Sequence, residues 1–214
     1  NIVITEMEHH SNIVPWQMLK KNNISIKFIP INEKGQLDID KLESLITQKT
    51  RLISIIHMSN VLGIINPIDK IISLAKKNNI FTLVDAAQSI SHEKIDVKKL
   101  DCDFLVFSGH KIMGPTGVGV LYIKKDHLDK LDPFLRGGQM IKEVEKHTAT
   151  WNDSPWKFEA GTPNIAQVIG LSKSIIYMND LGLDNIKKYE KELLNHLLLK
   201  LKSIEDINIF GHHD

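Results

Sequence analysis

The 214 residues carry 27 basic and 26 acidic side chains, a formal charge of +1, with 42% apolar content. That near-neutral balance gives no electrostatic footprint for nucleic acid or an anionic membrane, and the apolar share suffices for a sizeable core. A single cysteine, Cys102, excludes a disulfide framework and a cysteine-rich zinc site and makes a reducing compartment the default.

Along the chain, short β-branched runs alternate with longer segments of helical period, a pattern that predicts an α/β architecture with a largely parallel sheet. Strands are expected at 2–5, 24–29, 52–57, 80–84, 104–107 and 118–123, and helices at 12–21, 38–46, 67–77 and 164–179. Between 124 and 163 the pattern turns irregular, with Gly137, Gly138, two tryptophans and two prolines; a loop that long is usually functional or interfacial. An amphipathic helix is expected at 183–203, and INIFG reads as the opening of a further strand. The expected division is a large domain over 1–180 and the start of a smaller α/β domain over 181–214. No run approaches 18 consecutive apolar residues. The chain opens inside an apolar run, NIVIT, without methionine, and is expected to be a piece of a longer or processed protein whose targeting segment would have stood upstream.

In open α/β sheets ligands bind outside the carboxyl ends of the strands, so the polar residues there carry the chemistry. His9 and His10 follow the first strand; His57, Ser59 and Asn60 the third; Asp85 and Gln88 the fourth; Ser108, His110 and Lys111 the fifth. A P-loop is disfavoured because GHK precedes the second glycine and leads into a strand. GPTGVG lacks the dinucleotide spacing, no G-x-S-x-G elbow accompanies the serines, and no H-x-x-x-H or C-x-x-C pair fixes a zinc geometry for His9, His10, His57 and Asp85. What remains is Lys111 with Asp85 at the end of the neighbouring strand, the pairing that pyridoxal phosphate needs. Its aldehyde takes a lysine amine, its pyridine nitrogen takes a carboxylate, and its phosphate takes hydroxyl and N–H donors such as Ser108.

EHHSNIVPWQ (8–17), HMSNVLGIINP (57–67), LVDAAQS (83–89), DCDFLVFSGHKIMGPTGVGVLY (101–122) and WKFEAGTPN (156–164) together resemble the class V, fold-type I aminotransferase superfamily. Within it they resemble the cysteine desulfurases of SUF iron–sulfur cluster assembly. The resemblance implies the large domain of a fold-type I pyridoxal-phosphate transferase, a mostly parallel mixed sheet with helices on both faces. It implies Lys111 as the cofactor-bearing lysine and proton carrier, His9 stacked on the ring, Asp85 at the ring nitrogen, and Gln88 at the ring hydroxyl. Asn60 would lie beside the ring and the substrate carboxylate, Ser108 and His110 would bind the phosphate, and Thr162 would reach the phosphate in the neighbouring subunit of a homodimer. The implied reaction converts L-cysteine to L-alanine and passes persulfide sulfur to an acceptor of the SufE or SufU kind, with selenocysteine lyase activity as a side property.

The family's nucleophilic cysteine and carboxylate-binding arginine belong to a region beyond this chain's last residue, and its glycine-turn threonine to one before the first. Cys102 matches a structural cysteine of the DCDF segment. DAAQ stands where DGAQ is common, and GGQMI where GGGMI or GGSMI is usual. The alternatives are a sister enzyme, an aminotransferase or kynureninase, and an inactive scaffold or dimerisation fragment. The joint presence of Asp85, Gln88, Ser108, His110 and Lys111 speaks against a scaffold, which has no use for such an amine. Such desulfurases occur in bacterial cytoplasm and in plastid-type organelles such as the apicoplast, and the Lys-, Asn- and Ile-rich filler suits both.

Overall fold

A computed structural model describes residues 1–211. Six strands form one sheet: β1 (Ile2–Thr5), β2 (Ile26–Ile29), β3 (Leu52–Ile56), β4 (Phe81–Asp85), β5 (Phe104–Ser108) and β6 (Gly119–Ile123), in the order β2-β1-β3-β4-β5-β6. Every pairing is parallel except β5 with β6. Parallel neighbours need crossover connections, and the helices supply them: α1 (Val14–Met18), α2 (Ile39–Leu45), α3 (Ile68–Lys77) and α4 (Val97–Leu100). Asp38 caps α2 by accepting from the Lys41 N–H at 3.2 Å, and Asp96 caps α4 by accepting from the N–H groups of Lys98 and Lys99, each satisfying donors that a helix start leaves open.

Helix α3 buries Ile68, Ile71, Ile72 and Ala75, a stripe at helical spacing. They join Val3, Ile53, Ile55, Val84 and Leu105 in the main core. The pairings Val84↔Leu105 and Asp85↔Val106 put alternate residues on opposite faces of the sheet. Val84 and Leu105 therefore enter the core, while Leu83, Asp85, Val106 and Ser108 share the other face. Cys102, fully buried just before β5, belongs to the same core.

Four expectations are corrected. Strand β2 begins at Ile26 rather than at 24. The helix expected over 12–21 is broken into a 3-10 turn at His10–Asn12, the five-residue α1 and a second 3-10 turn at Leu19–Asn22, because Asn12 turns its side chain inward to the sheet and Asn23 ends the segment at φ 60°. The irregular stretch 124–163 contains α5 (Lys125–Leu128) and a hairpin, β7 (Ile141–Val144) with β8 (Ala149–Trp151), closed where the Glu145 N–H donates to Thr148 O at 2.8 Å. INIFG forms no strand. Helix α6 (Ile165–Leu181) and α7 (Leu183–Leu201) flank Gly182 at φ 81°. No helix among the described residues is long and apolar enough to cross a membrane.

Candidate active site

At the carboxyl ends of β4 and β5 lies a cavity of about 540 Å3. His9, Asn12, Trp16, Asp85, Ser108, His110 and Lys111 are among its lining residues. The sequence carries β5 to Ser108, and Gly109–Lys111 then makes a single 3-10 turn. That turn is possible only with glycines. A Cβ on Gly109 would stand 2.8 Å from Val118 Cγ1 and 3.0 Å from Val118 O, and one on Gly114 would stand 2.7 Å from Gly109 O, distances below contact for carbon. The backbone closes on itself instead, with the Gly109 N–H donating to Val118 O and the Gly114 N–H to Gly109 O. Ser108, His110 and Lys111 are thereby set in succession on the cavity wall.

Asp85 ends β4 almost fully buried and accepts from the Ala87 N–H through Oδ1 at 2.9 Å. Among the described residues Asp85 Oδ2 has no hydrogen-bond partner, and neither do Ser108 Oγ, the His110 ring or Lys111 Nζ. A carboxylate oxygen, a hydroxyl, an imidazole and an amine are therefore uncommitted on one cavity. This donor and acceptor set fits pyridoxal phosphate: the amine for its aldehyde, the carboxylate for its ring nitrogen, the hydroxyl and imidazole for its phosphate. His9 caps the turn after β1, its Nδ1 taking the Ser11 N–H at 3.3 Å and lying 2.6 Å from Ser11 Oγ.

Three of the residues expected at the site stand apart from this cavity. Asn60 lines a neighbouring one of about 440 Å3, which it shares with His9. Gln88 is on the turn next to Ala87, the last residue of that loop to line the site. Thr162 is exposed beyond β8, where the adjacent Gly161 N–H donates to Gly138 O. Of the residues given no role, His10 lies on the cavity with Asn60. Ser59 Oγ accepts from the N–H groups of Val61 and Leu62. His57 opens onto a different cavity with Asp69 and Glu93, and its burial pulls its pKa down.

A network beneath the site had no reading in the sequence. Glu8 Oε1 accepts from Thr5 Oγ1 at 2.7 Å and from the Ile56 N–H at 2.8 Å; Glu8 Oε2 accepts from Asn12 Nδ2 at 2.7 Å. Asn12 Oδ1 in turn accepts from Ser54 Oγ at 2.6 Å and Trp16 Nε1 at 3.0 Å. No local signal marks it: residues 8, 12 and 16 stand four apart, but Glu8 precedes the 3-10 turn at His10–Asn12 and shares no helix with Asn12 or Trp16. Burial pushes the Glu8 carboxyl up from 4.5 to about 7 against these three donors, with Asp85 adding repulsion. The folded protein thus holds a proton that the unfolded chain releases. The associated stability is complete below about pH 4.5 and is lost as pH rises toward about 7. Unfolding free energy is expected to fall by on the order of 3 kcal/mol across that window, and denaturation curves at successive pH values should show the slope in the native protein and not in Glu8→Gln.

The sheet order, the lysine turn after β5 and the aspartate closing β4 define an α/β fold of the fold-type I pyridoxal-phosphate kind. The chain belongs to the class-V aminotransferase family, whose pattern matches residues 1–214. It is 54% identical over 214 residues to a cysteine desulfurase of Wigglesworthia glossinidia brevipalpis, covering 99% of this chain and 52% of that protein. It is 47% identical over 213 residues to one of Shigella sonnei, with the same coverages. An apo cysteine desulfurase of Thermococcus onnurineus superposes with a TM-score of 0.94 at 38% identity, over 100% of this chain and 54% of that one. The cysteine desulfurase CsdA of Escherichia coli gives 0.92 at 38%, over 95% and 51%. The chain spans about half the length of these relatives.

Proposed function

We propose that this chain is the cofactor-binding portion of a pyridoxal-phosphate-dependent cysteine desulfurase that takes sulfur from L-cysteine and leaves L-alanine. The observation that carries the reading is the convergence of Lys111, Asp85, Ser108 and His110, with uncommitted polar groups, on one cavity; relatives named cysteine desulfurase support it. When bound, pyridoxal phosphate supplies an electron sink for negative charge at the substrate α-carbon. Lys111 holds the cofactor and moves the α-proton; His9 covers the ring face; Asp85 keeps a positive ring nitrogen paired. Ser108 and His110 would bind the phosphate; Gln88, one residue past the cavity-lining Ala87, would reach the ring hydroxyl, and Asn60, on the adjoining cavity that shares His9, the substrate carboxylate. Thr162 reaches the neighbouring subunit of a homodimer. The sulfur passes to a SufE- or SufU-like acceptor for SUF-type cluster assembly, selenocysteine being a second substrate, in a bacterial cytoplasm or a plastid-type organelle.

The whole protein that carries this chain, loaded with pyridoxal phosphate and given L-cysteine and a reductant, is expected to release sulfide and alanine in equal amounts. Amino transfer to a keto acid or cleavage of kynurenine, with no alanine from cysteine, would overturn the reading. Cys102 takes no part in it, being fully buried outside the cavity with its thiol pushed up to about 11 by burial, and only a thiolate attacks sulfur. Cys102→Ala is accordingly expected to keep the full rate of sulfide release while lowering stability by about 1 kcal/mol; loss of sulfide release in a folded variant would make Cys102 the nucleophile.

A further inference from the structure

We infer that Glu8 is the positioning residue of this cavity, its carboxyl locking the His9-to-Trp16 wall onto the sheet through Thr5, Ile56 and Asn12. The pairing of β1 with β3 covers only Ile2↔Leu52 and Val3↔Ile53; beyond it the Ile56 N–H donates to Glu8 Oε1. The carboxyl thus extends the sheet past the point where the strand has turned away. The turn itself is cross-linked twice, by the Asn12 N–H on His9 O at 2.8 Å and by Asn12 Nδ2 on Glu8 Oε2. Trp16, on the cavity wall, hangs from Asn12 Oδ1. Glu8 does not line the ring cavity and acts through His9, Asn12 and Trp16. The inference rests on reading that cavity as the pyridoxal-phosphate site.

With the Glu8 carboxyl ionised, at a pH above the value of about 7 to which burial raises it and at which the test below is run, the polarity of the network admits one arrangement. Ser54 Oγ and Trp16 Nε1 both donate to Asn12 Oδ1, so the Asn12 amide cannot flip and Nδ2 must face residue 8. A glutamine at position 8 then sets N–H against N–H whichever way it turns, at Asn12 Nδ2 or at the Ile56 amide, and a buried unmade hydrogen bond is costly. Exchanging the two head groups removes the conflict: in Glu8→Gln/Asn12→Asp the new amide donates to the new carboxylate, which still accepts from Ser54 and Trp16.

The test uses the whole protein. Pyridoxal phosphate is titrated into the apoprotein of wild type, the two single variants and the double variant. Urea midpoints, KM and kcat for cysteine are measured beside it. Glu8→Gln is expected to raise the cofactor Kd and lower kcat, each about tenfold for one mispaired group, with KM little changed; the double variant should recover Kd, kcat and urea midpoint together. Wild-type Kd and kcat in a folded Glu8→Gln would overturn the inference. So would a double variant that regains its urea midpoint but not its cofactor affinity, since that result makes Glu8 merely structural. Failure of the wild-type protein to bind pyridoxal phosphate would instead sink the reading of the cavity.

Discussion

Lys111→Ala is expected to lower turnover by about a thousandfold or more, the scale for losing a nucleophile that also serves as acid and base. Lys111 follows Ser108 on the turn that Gly109 and Gly114 permit, and Nζ makes no ion pair or hydrogen bond among the described residues. Truncation therefore removes no structural bond, and the urea midpoint should stay near that of the wild type. Cofactor is expected still to enter, held by Ser108 and His110, but without a covalent tie. Borohydride followed by mass measurement reads this directly: wild type should gain the reduced cofactor on the peptide containing Lys111, and Lys111→Ala should gain none. Cofactor fixed by borohydride at any other lysine of the variant would remove Lys111 from its role.

The reasons this site could be read in the sequence are physical. The runs that form β3, β4 and β5 are short, β-branched and bounded by polar residues. A parallel sheet buried on both faces demands such runs, so the strand ends, and with them Asp85 and Lys111, were fixed to within a residue. Residues 12–21 failed because propensity measures helix against coil and not against a competing partner. Asn12, whose period suits a helix, instead spends its side chain on Glu8, Ser54 and Trp16. Glu8 went unread for the same reason, since nothing local marks an acid as buried. The β7–β8 hairpin escaped notice because its strands are short and mostly exposed, without the apolar alternation that reveals a strand packed on a core. INIFG has that composition yet forms no strand among the described residues, because composition alone does not make a strand.

The charge at Asp85 admits a test that separates chemistry from architecture. Asp85→Asn keeps an oxygen for the Ala87 N–H and nearly the same volume, so the end of β4 should hold its shape. It removes a negative charge from a buried position close enough to Glu8 for mutual repulsion. In the apoprotein the substitution is therefore expected to leave stability equal or higher, and to bring the Glu8 carboxyl down toward its ordinary range. With cofactor bound the balance reverses. If Asp85 pairs with a cationic ring nitrogen, that close charge pair would contribute about 4 kcal/mol at the effective dielectric of protein sites, about a thousandfold in rate if the cation is needed in the transition state. Turnover of cysteine is thus expected to fall by about that factor while borohydride still fixes the cofactor on Lys111. Part of the loss should return at low pH, where the ring nitrogen is protonated without help. A folded Asp85→Asn that turns over cysteine at the wild-type rate across the pH range would show that the carboxylate holds up the loop and nothing more.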